Sequence, residues 1–147
     1  MTADDVKPRR RYDNRRREEQ ALQARRRIVD AAYRLFLDRG YAGTTMAGVA
    51  GAAGVSVETV YKSFGTKAAL TKQVWDVTLV GDDQPVPLAR RPEFGVVSDE
   101  PDPRRKLAGY AAVGRLLMER LGPLLGVLLE GAGAGDPELR ELLATLD

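Results

Sequence analysis

Apolar positions recur along this chain at spacings of three and four, the period of helices, and nowhere at the alternation of strands. Ile28, Ala31, Ala32, Leu35 and Phe36 form one stripe, with Asp30, Arg34 and Asp38 on the opposite face. Gly40 then suits a left-handed stop, so the pattern predicts a helix over about 22–39. Thr45 can cap a second helix, Met46–Ala53, whose inward positions are Met46, Val49, Ala50 and Ala53. Gly48 and Gly51 weaken it by up to ~1 kcal/mol each relative to Ala, so packing must hold it. Gly54 supplies a turn, Ser56 caps a third helix over Val57–Ser63, and Gly65 ends it. Thr66 caps a fourth helix, Lys67 to about Leu79, with Leu70, Val74 and Val77 on one stripe and Trp75 beside it.

Residues 81–103 differ in kind. Five prolines and the pair Asp82-Asp83 break any long element, leaving room for a short turn of helix near Val86–Arg90. Asp102-Pro103 reads as a cap and first turn. Leu107, Tyr110, Ala111, Leu116 and Leu117 predict a helix to about Leu121. Pro123 starts another, to about Glu130, before a flexible break at Gly131-Ala132-Gly133-Ala134-Gly135. Asp136-Pro137-Glu138 opens a last helix with Leu139, Leu142, Leu143 and Leu146 apolar. The expected class is all-α: a three-helix unit joined by a fourth helix to a short helical C-terminal region. The expected divisions are a basic flexible arm (1–21), a helix-turn-helix domain (22–80), a Pro-rich linker (81–103) and a C-terminal ligand and dimerisation region (104–147).

Charge changes the picture. The chain carries +2 overall, but residues 1–27 hold ten Lys and Arg against five Asp and Glu, a net of +5, and the remainder is −3. A basic arm beside a globular body suits a polyanion. There is no Cys and no His, which removes thiolate chemistry, disulfides and the commonest general base and metal ligand. No nucleophile motif or phosphate loop is present, so no enzyme, cofactor or metal is expected; Asp82-Asp83 reads as solvated carboxylates. The N-terminus lacks a secretory core and no apolar run reaches the ~18 residues that span a bilayer, so a cytoplasmic protein without membrane contact is expected.

Two short helices around Gly54 have the build of a helix-turn-helix, whose second helix enters the DNA major groove. Val60 and Phe64 would anchor that helix, leaving Val57, Thr59, Tyr61, Lys62 and Ser63 outward. Thr59 suits a base or a thymine methyl, Val57 an apolar contact, and Tyr61 and Ser63 phosphate oxygens. Lys62 adds charge, and Lys67 sits at a helix N-terminus that itself favours phosphate. Arg25, Arg26 and Arg27 could meet phosphates at the start of the first helix, with upstream arginines reaching the minor groove; a solvated tail is the equal alternative.

Ile28 to Phe36, Gly40-Tyr41, Thr44-Thr45, Val49-Ala50, Ala53 to Ser56, Val60 to Phe64 and Lys67 to Leu70 together resemble the DNA-binding domain of TetR-family transcriptional regulators over about residues 24–80. The resemblance implies an all-helical homodimer, a palindromic operator in double-stranded DNA, and a C-terminal domain that binds a small-molecule effector, here of unknown identity and with no ligand residues assigned. It carries DNA contacts onto Thr45, Ala47, Ser56, Val57, Glu58, Thr59, Tyr61, Lys62, Ser63 and Lys67. Two positions depart from it: Ala47 stands where a long basic residue is frequent, and Ser63 where His or Tyr is common. The family also implies two further long helices, so the C-terminal region is expected to be short or truncated. The function expected is a ligand-relieved repressor. The alternative is a helical interaction protein, or a truncated regulator that binds DNA weakly with another subunit and docks through Leu139, Leu143 and Leu146.

Overall fold

The computed structural model describes residues 7–84 and 86–146, and all the regular structure among them is helical. The helices are α1 (Lys7–Arg39), α2 (Met46–Ala53), α3 (Val57–Phe64), α4 (Lys67–Val80), a 3-10 turn (Leu88–Arg90), α5 (Pro92–Ser98), α6 (Pro103–Gly133) and α7 (Pro137–Thr145). α1 begins well before the expected position near 22. From residue 9 to its end it contains neither Gly nor Pro, and its Arg, Glu, Gln and Ala residues favour helix. Residues 7–21 are therefore helical where a flexible arm was expected, and residues 11–23 are exposed on every face. Residues 1–6 of that arm lie outside the described residues.

The second half of α1 is the wall on which the fold is built. Ile28, Ala31, Ala32, Leu35 and Phe36 are all buried, as the spacing predicts. α2, α4 and α6 pack against it. The expected caps form: Thr45 accepts a hydrogen bond from the Gly48 N–H at 3.0 Å, Ser56 from Thr59 at 3.2 Å, and Thr66 from Ala69 at 3.0 Å. Each closes one of the open donors at a helix start. Buried Thr44 and Thr71 turn their hydroxyls back onto the carbonyls of Gly40 and Lys67, so neither is left unpaired.

The C-terminal half departs most from expectation. α6 runs unbroken through Pro123 and on to Gly133 as one helix of 31 residues. Pro123 removes a single backbone bond, while Leu121, Leu124 and Leu128 are buried along the same face and hold the helix across it. Leu124, Leu128, Leu139 and Leu142 join the same core as Ile28 and Phe36, so one hydrophobic core crosses the Pro-rich stretch. Leu139 is fully buried, and Leu143 and Leu146 pack against the core, which removes the docking stripe of the alternative reading. The expected glycine-rich break is a packing site instead. A Cβ on Gly131 would lie 2.7 Å from Leu139 Cδ2 and 3.0 Å from Tyr41 Cβ, so any larger residue would force buried Leu139 or Tyr41 to shift where α6 meets α7 and the α1–α2 loop. The first half of α6 is largely uncovered, with Leu107 70% and Met118 59% exposed.

Gly131→Ala is expected to destabilise the fold. Overpacking costs about 1–3 kcal/mol and better helix propensity returns at most ~1 kcal/mol. A lowered urea midpoint with an unchanged slope is the expected result, and an unchanged midpoint would show that the α6–α7 contact has slack.

Candidate nucleic-acid interface

The turn between α2 and α3 depends on Gly54, whose φ of 69° is the left-handed conformation that a side chain disfavours. The chain reverses there, with Val55 N–H bonding back to Ala50 O at 3.1 Å. α3 then runs for only eight residues, from the Ser56 cap to Gly65. Val60 is fully buried and Phe64 half-buried, which fixes the inner face as the sequence predicts. Val57 (36% exposed), Glu58, Tyr61 (50% exposed) and Lys62 look out to solvent. Thr59 and Ser63 flank this face and are half-buried. The Thr59 hydroxyl lies 2.8 Å from Ser56 Oγ, leaving its methyl as the freer group. Thr45, the cap of α2, and Ala47, in its first turn, are also exposed. These positions share one exposed face of α2 and α3, opposite the buried apolar side of the two helices.

The basic residues divide into two sets. Arg27 and Lys62 are exposed. Arg25, Arg26 and Lys67 are tied into the protein itself. Arg25 Nη1 donates to Ser63 O at 2.8 Å, and its guanidinium lies 4.3 Å from the Phe64 ring centre. Arg26 pairs with Asp83 just beyond the end of α4. Lys67 donates to the carbonyl of Tyr41 and sits 3.9 Å from the centre of that residue's ring. Burial lowers the Lys67 pKa, and nearby Asp136 partly restores it. Lys67 thus fastens α4 to the loop after α1, a role that helix position alone does not reveal. Tyr41 is the centre of that joint: its buried ring stacks on Phe36 at 5.6 Å, and burial raises the phenol's pKa. Arg39 is the cation that sequence reading passed over. A side chain on Gly48 would meet its Nη1 at 3.9 Å, so the guanidinium reaches the first turn of α2, beside Ala47. Its place in the last turn of α1 was legible, but its reach across the loop was not.

Asp82 and Asp83, expected as solvated carboxylates, are instead paired with Arg91 and Arg26. Asp82 accepts from both terminal guanidinium nitrogens of Arg91, at 2.5 and 2.7 Å, and from the Gln84 N–H at 2.9 Å. These bonds hold its carboxyl at a pKa of about 2, below the ordinary 3.8. Among the described residues no group of three or more candidate ligands could hold a metal ion, and no helix is long and apolar enough to cross a membrane. Tyr110, Arg115 and Met118, in the first half of α6, are exposed. A cleft of about 300 Å³ lies between α1 and the end of α4, lined by Leu22, Arg26, Val29, Gln73, Val77 and Asp83 among others.

Residues 28–74 match the family model for bacterial regulatory proteins of the tetR family. The chain is similar to the HTH-type transcriptional regulator TtgR of Pseudomonas putida, 39% identical over 89 residues, 60% of this chain and 40% of that protein. It is similar also to the HTH-type transcriptional regulator AcrR of Shigella flexneri, 33% identical over 64 residues, 44% of this chain and 30% of that protein. The matched stretches thus span less than half the length of these relatives. No solved structure gives a significant match.

The Asp82–Arg91 pair sets an acid limit. Because the carboxyl titrates lower in the folded chain, the pair stabilises fully above pH 3.8, and that contribution is lost as pH falls toward 2. Asp82→Asn is expected to lower the urea midpoint at pH 7, with the gap from the unsubstituted chain closing between pH 4 and 2; a gap independent of pH would exclude the ion pair as its source.

Proposed function

We propose that this chain, whose residues 28–74 make it a TetR-family regulatory protein, is a cytoplasmic, sequence-specific DNA-binding transcriptional regulator that reads double-stranded DNA with α3. The observation that carries the reading is the outer face of α3. Val57, Glu58, Tyr61 and Lys62 are solvent-facing on a short helix whose opposite side, through Val60, is locked into the core. A groove-reading helix needs that combination: accessible side chains, and a position set by the scaffold.

Roles follow from chemistry and exposure. Val57 and the Thr59 methyl suit apolar base contacts, such as the thymine methyl. Tyr61, Lys62, Arg27 and the caps Thr45 and Ser56 suit phosphate oxygens, and Glu58 can accept from a cytosine amine. Ala47 and Ser63 bring small contacts only. Arg39 stands beside Ala47 and supplies a cation near that position. The proposal extends to a homodimer on a palindromic operator, its two α3 helices about 34–36 Å apart in successive major grooves, and to repression relieved by a small molecule. What supports relief is the packing of α6 and α7 on α4, which in turn packs on α3 and α1. A molecule that prefers one placement of the C-terminal helices would thereby change the placement of the readers.

Selection of bound sequences from random DNA tests binding, symmetry and half-site spacing together. Recovery of a palindrome, with affinity falling steeply as salt rises through counterion release, is the expected result. No enriched sequence, or a flat salt response, would reject the proposal. On the recovered site, Tyr61→Ala should weaken selected and random DNA alike. Thr59→Ala should instead cost about 1–3 kcal/mol on the selected site only, read as the ratio of the two dissociation constants.

A further inference from the structure

We propose that Arg25 is a positioning residue of the recognition helix: its guanidinium fastens the C-terminal end of α3 to α1, and it does not contact DNA. The DNA part of this inference rests on the function proposed above. The geometry of the tie does not.

A helix of eight residues has little stability of its own. Val60 pins the middle of α3, while its C-terminal end rests on half-buried Phe64 and stops at Gly65, whose N–H closes back on Tyr61 O. The carbonyls of a last turn lack partners within the helix and carry the negative end of its dipole. Arg25 answers both needs from another element. Its Nη1 donates to Ser63 O at 2.8 Å, 38 residues away in the chain. Its guanidinium carbon also lies over the Phe64 ring, 4.3 Å from the ring centre, a cation–π contact with the next residue of the same turn. Two consecutive residues at the end of α3 are thereby held by one side chain, half-buried and rooted one turn before the buried Ile28 and Val29. A guanidinium held over a ring and bonded through one terminal nitrogen to a carbonyl is poorly placed to serve a phosphate as well, whereas Arg27, two residues on, is exposed.

The consequence is a matter of aim. With α3 fastened at Val60 and at Ser63–Phe64, its outward side chains keep a fixed angle to the scaffold. Without Arg25, only Val60 and the packing of Phe64 on the core hold the helix, and the end bearing Tyr61 and Lys62 gains freedom. Sequence discrimination depends on that angle, and attraction to phosphates in general does not.

Arg25→Gln removes the charge and the stacked plane; Phe64→Leu removes the ring without touching charge. In hydrogen exchange on the full chain, both are expected to speed the amides of Lys62–Gly65 about tenfold, with Val49 and Ala50 unchanged. On DNA recovered by selection, both should reduce the ratio of selected to random affinity about tenfold, with the salt dependence as steep as in the unsubstituted chain. A salt slope shallower by about 0.9 per half-site in Arg25→Gln, with exchange unaltered, would make Arg25 a phosphate contact and overturn the proposal. Unaltered exchange in both variants overturns it regardless of DNA. If the unsubstituted chain prefers no sequence, the function proposed above fails, and exchange alone decides the tie.

Discussion

One stripe of α1, from Ile28 to Phe36, is the constraint on which the rest of the molecule depends. It is buried on a single helix, yet it serves α2, α4 and α6 at once. The small residues Ala31 and Ala32 allow close approach, while Ile28, Leu35 and Phe36 fill the space between neighbours. α2, with two glycines in eight residues, has poor intrinsic propensity and exists because that wall receives Met46, Val49, Ala50 and Ala53. α3 is one step further out. It leans on α2 and α4, and its position is inherited from theirs.

The charged residues do more inside this molecule than their exposure suggests. Three cations at the edge of the interface, Arg25, Arg26 and Lys67, each join two elements: α1 to the end of α3, α1 to the loop after α4, and α4 to the loop after α1. Each meets a partner of fitting type: last-turn and loop carbonyls, aromatic faces or a carboxylate. The strongest geometry is that of Arg91, a buried guanidinium held in a fork by Asp82 and anchoring the chain where α4 gives way to α5. These ties border α2 and α3 without occupying the exposed face of Val57, Glu58, Tyr61 and Lys62. The interface thus consists of a presented set of side chains and a supporting set behind it.

The C-terminal helices complete the same body. Leu124, Leu128 and Leu139 are fully buried in the core that Ile28 and Phe36 begin, and Gly131 lets α6 close onto Tyr41. Tyr41 consequently touches Phe36, Lys67 and α6, joining the start of α4 to the C-terminal region. A change in that region has a short mechanical route to α4 and then to α3.

The local code determined much of this by itself. The helix period of α1, the caps Thr45, Ser56 and Thr66, the left-handed glycines and the inward set of α2 were all legible, because each rests on interactions within a few residues. The outward face of α3 followed from the same period once Val60 was placed inside. Tertiary structure decided what local patterns leave open. Pro123 and Gly131 read as breaks because their local cost is plain, yet burial of Leu121, Leu124 and Leu128, and close packing of Gly131 on Leu139 and Tyr41, carried α6 through both. Residues 7–21 read as an arm because they lack an apolar stripe, and helix propensity alone gave them their form. Above all, the sequence showed Arg25, Arg26 and Lys67 only as positive charges near a DNA-reading motif. Which of them meets a carbonyl, a ring or a carboxylate depends on residues distant in the chain, and only the packing of α1, α3 and α4 brought those partners within reach.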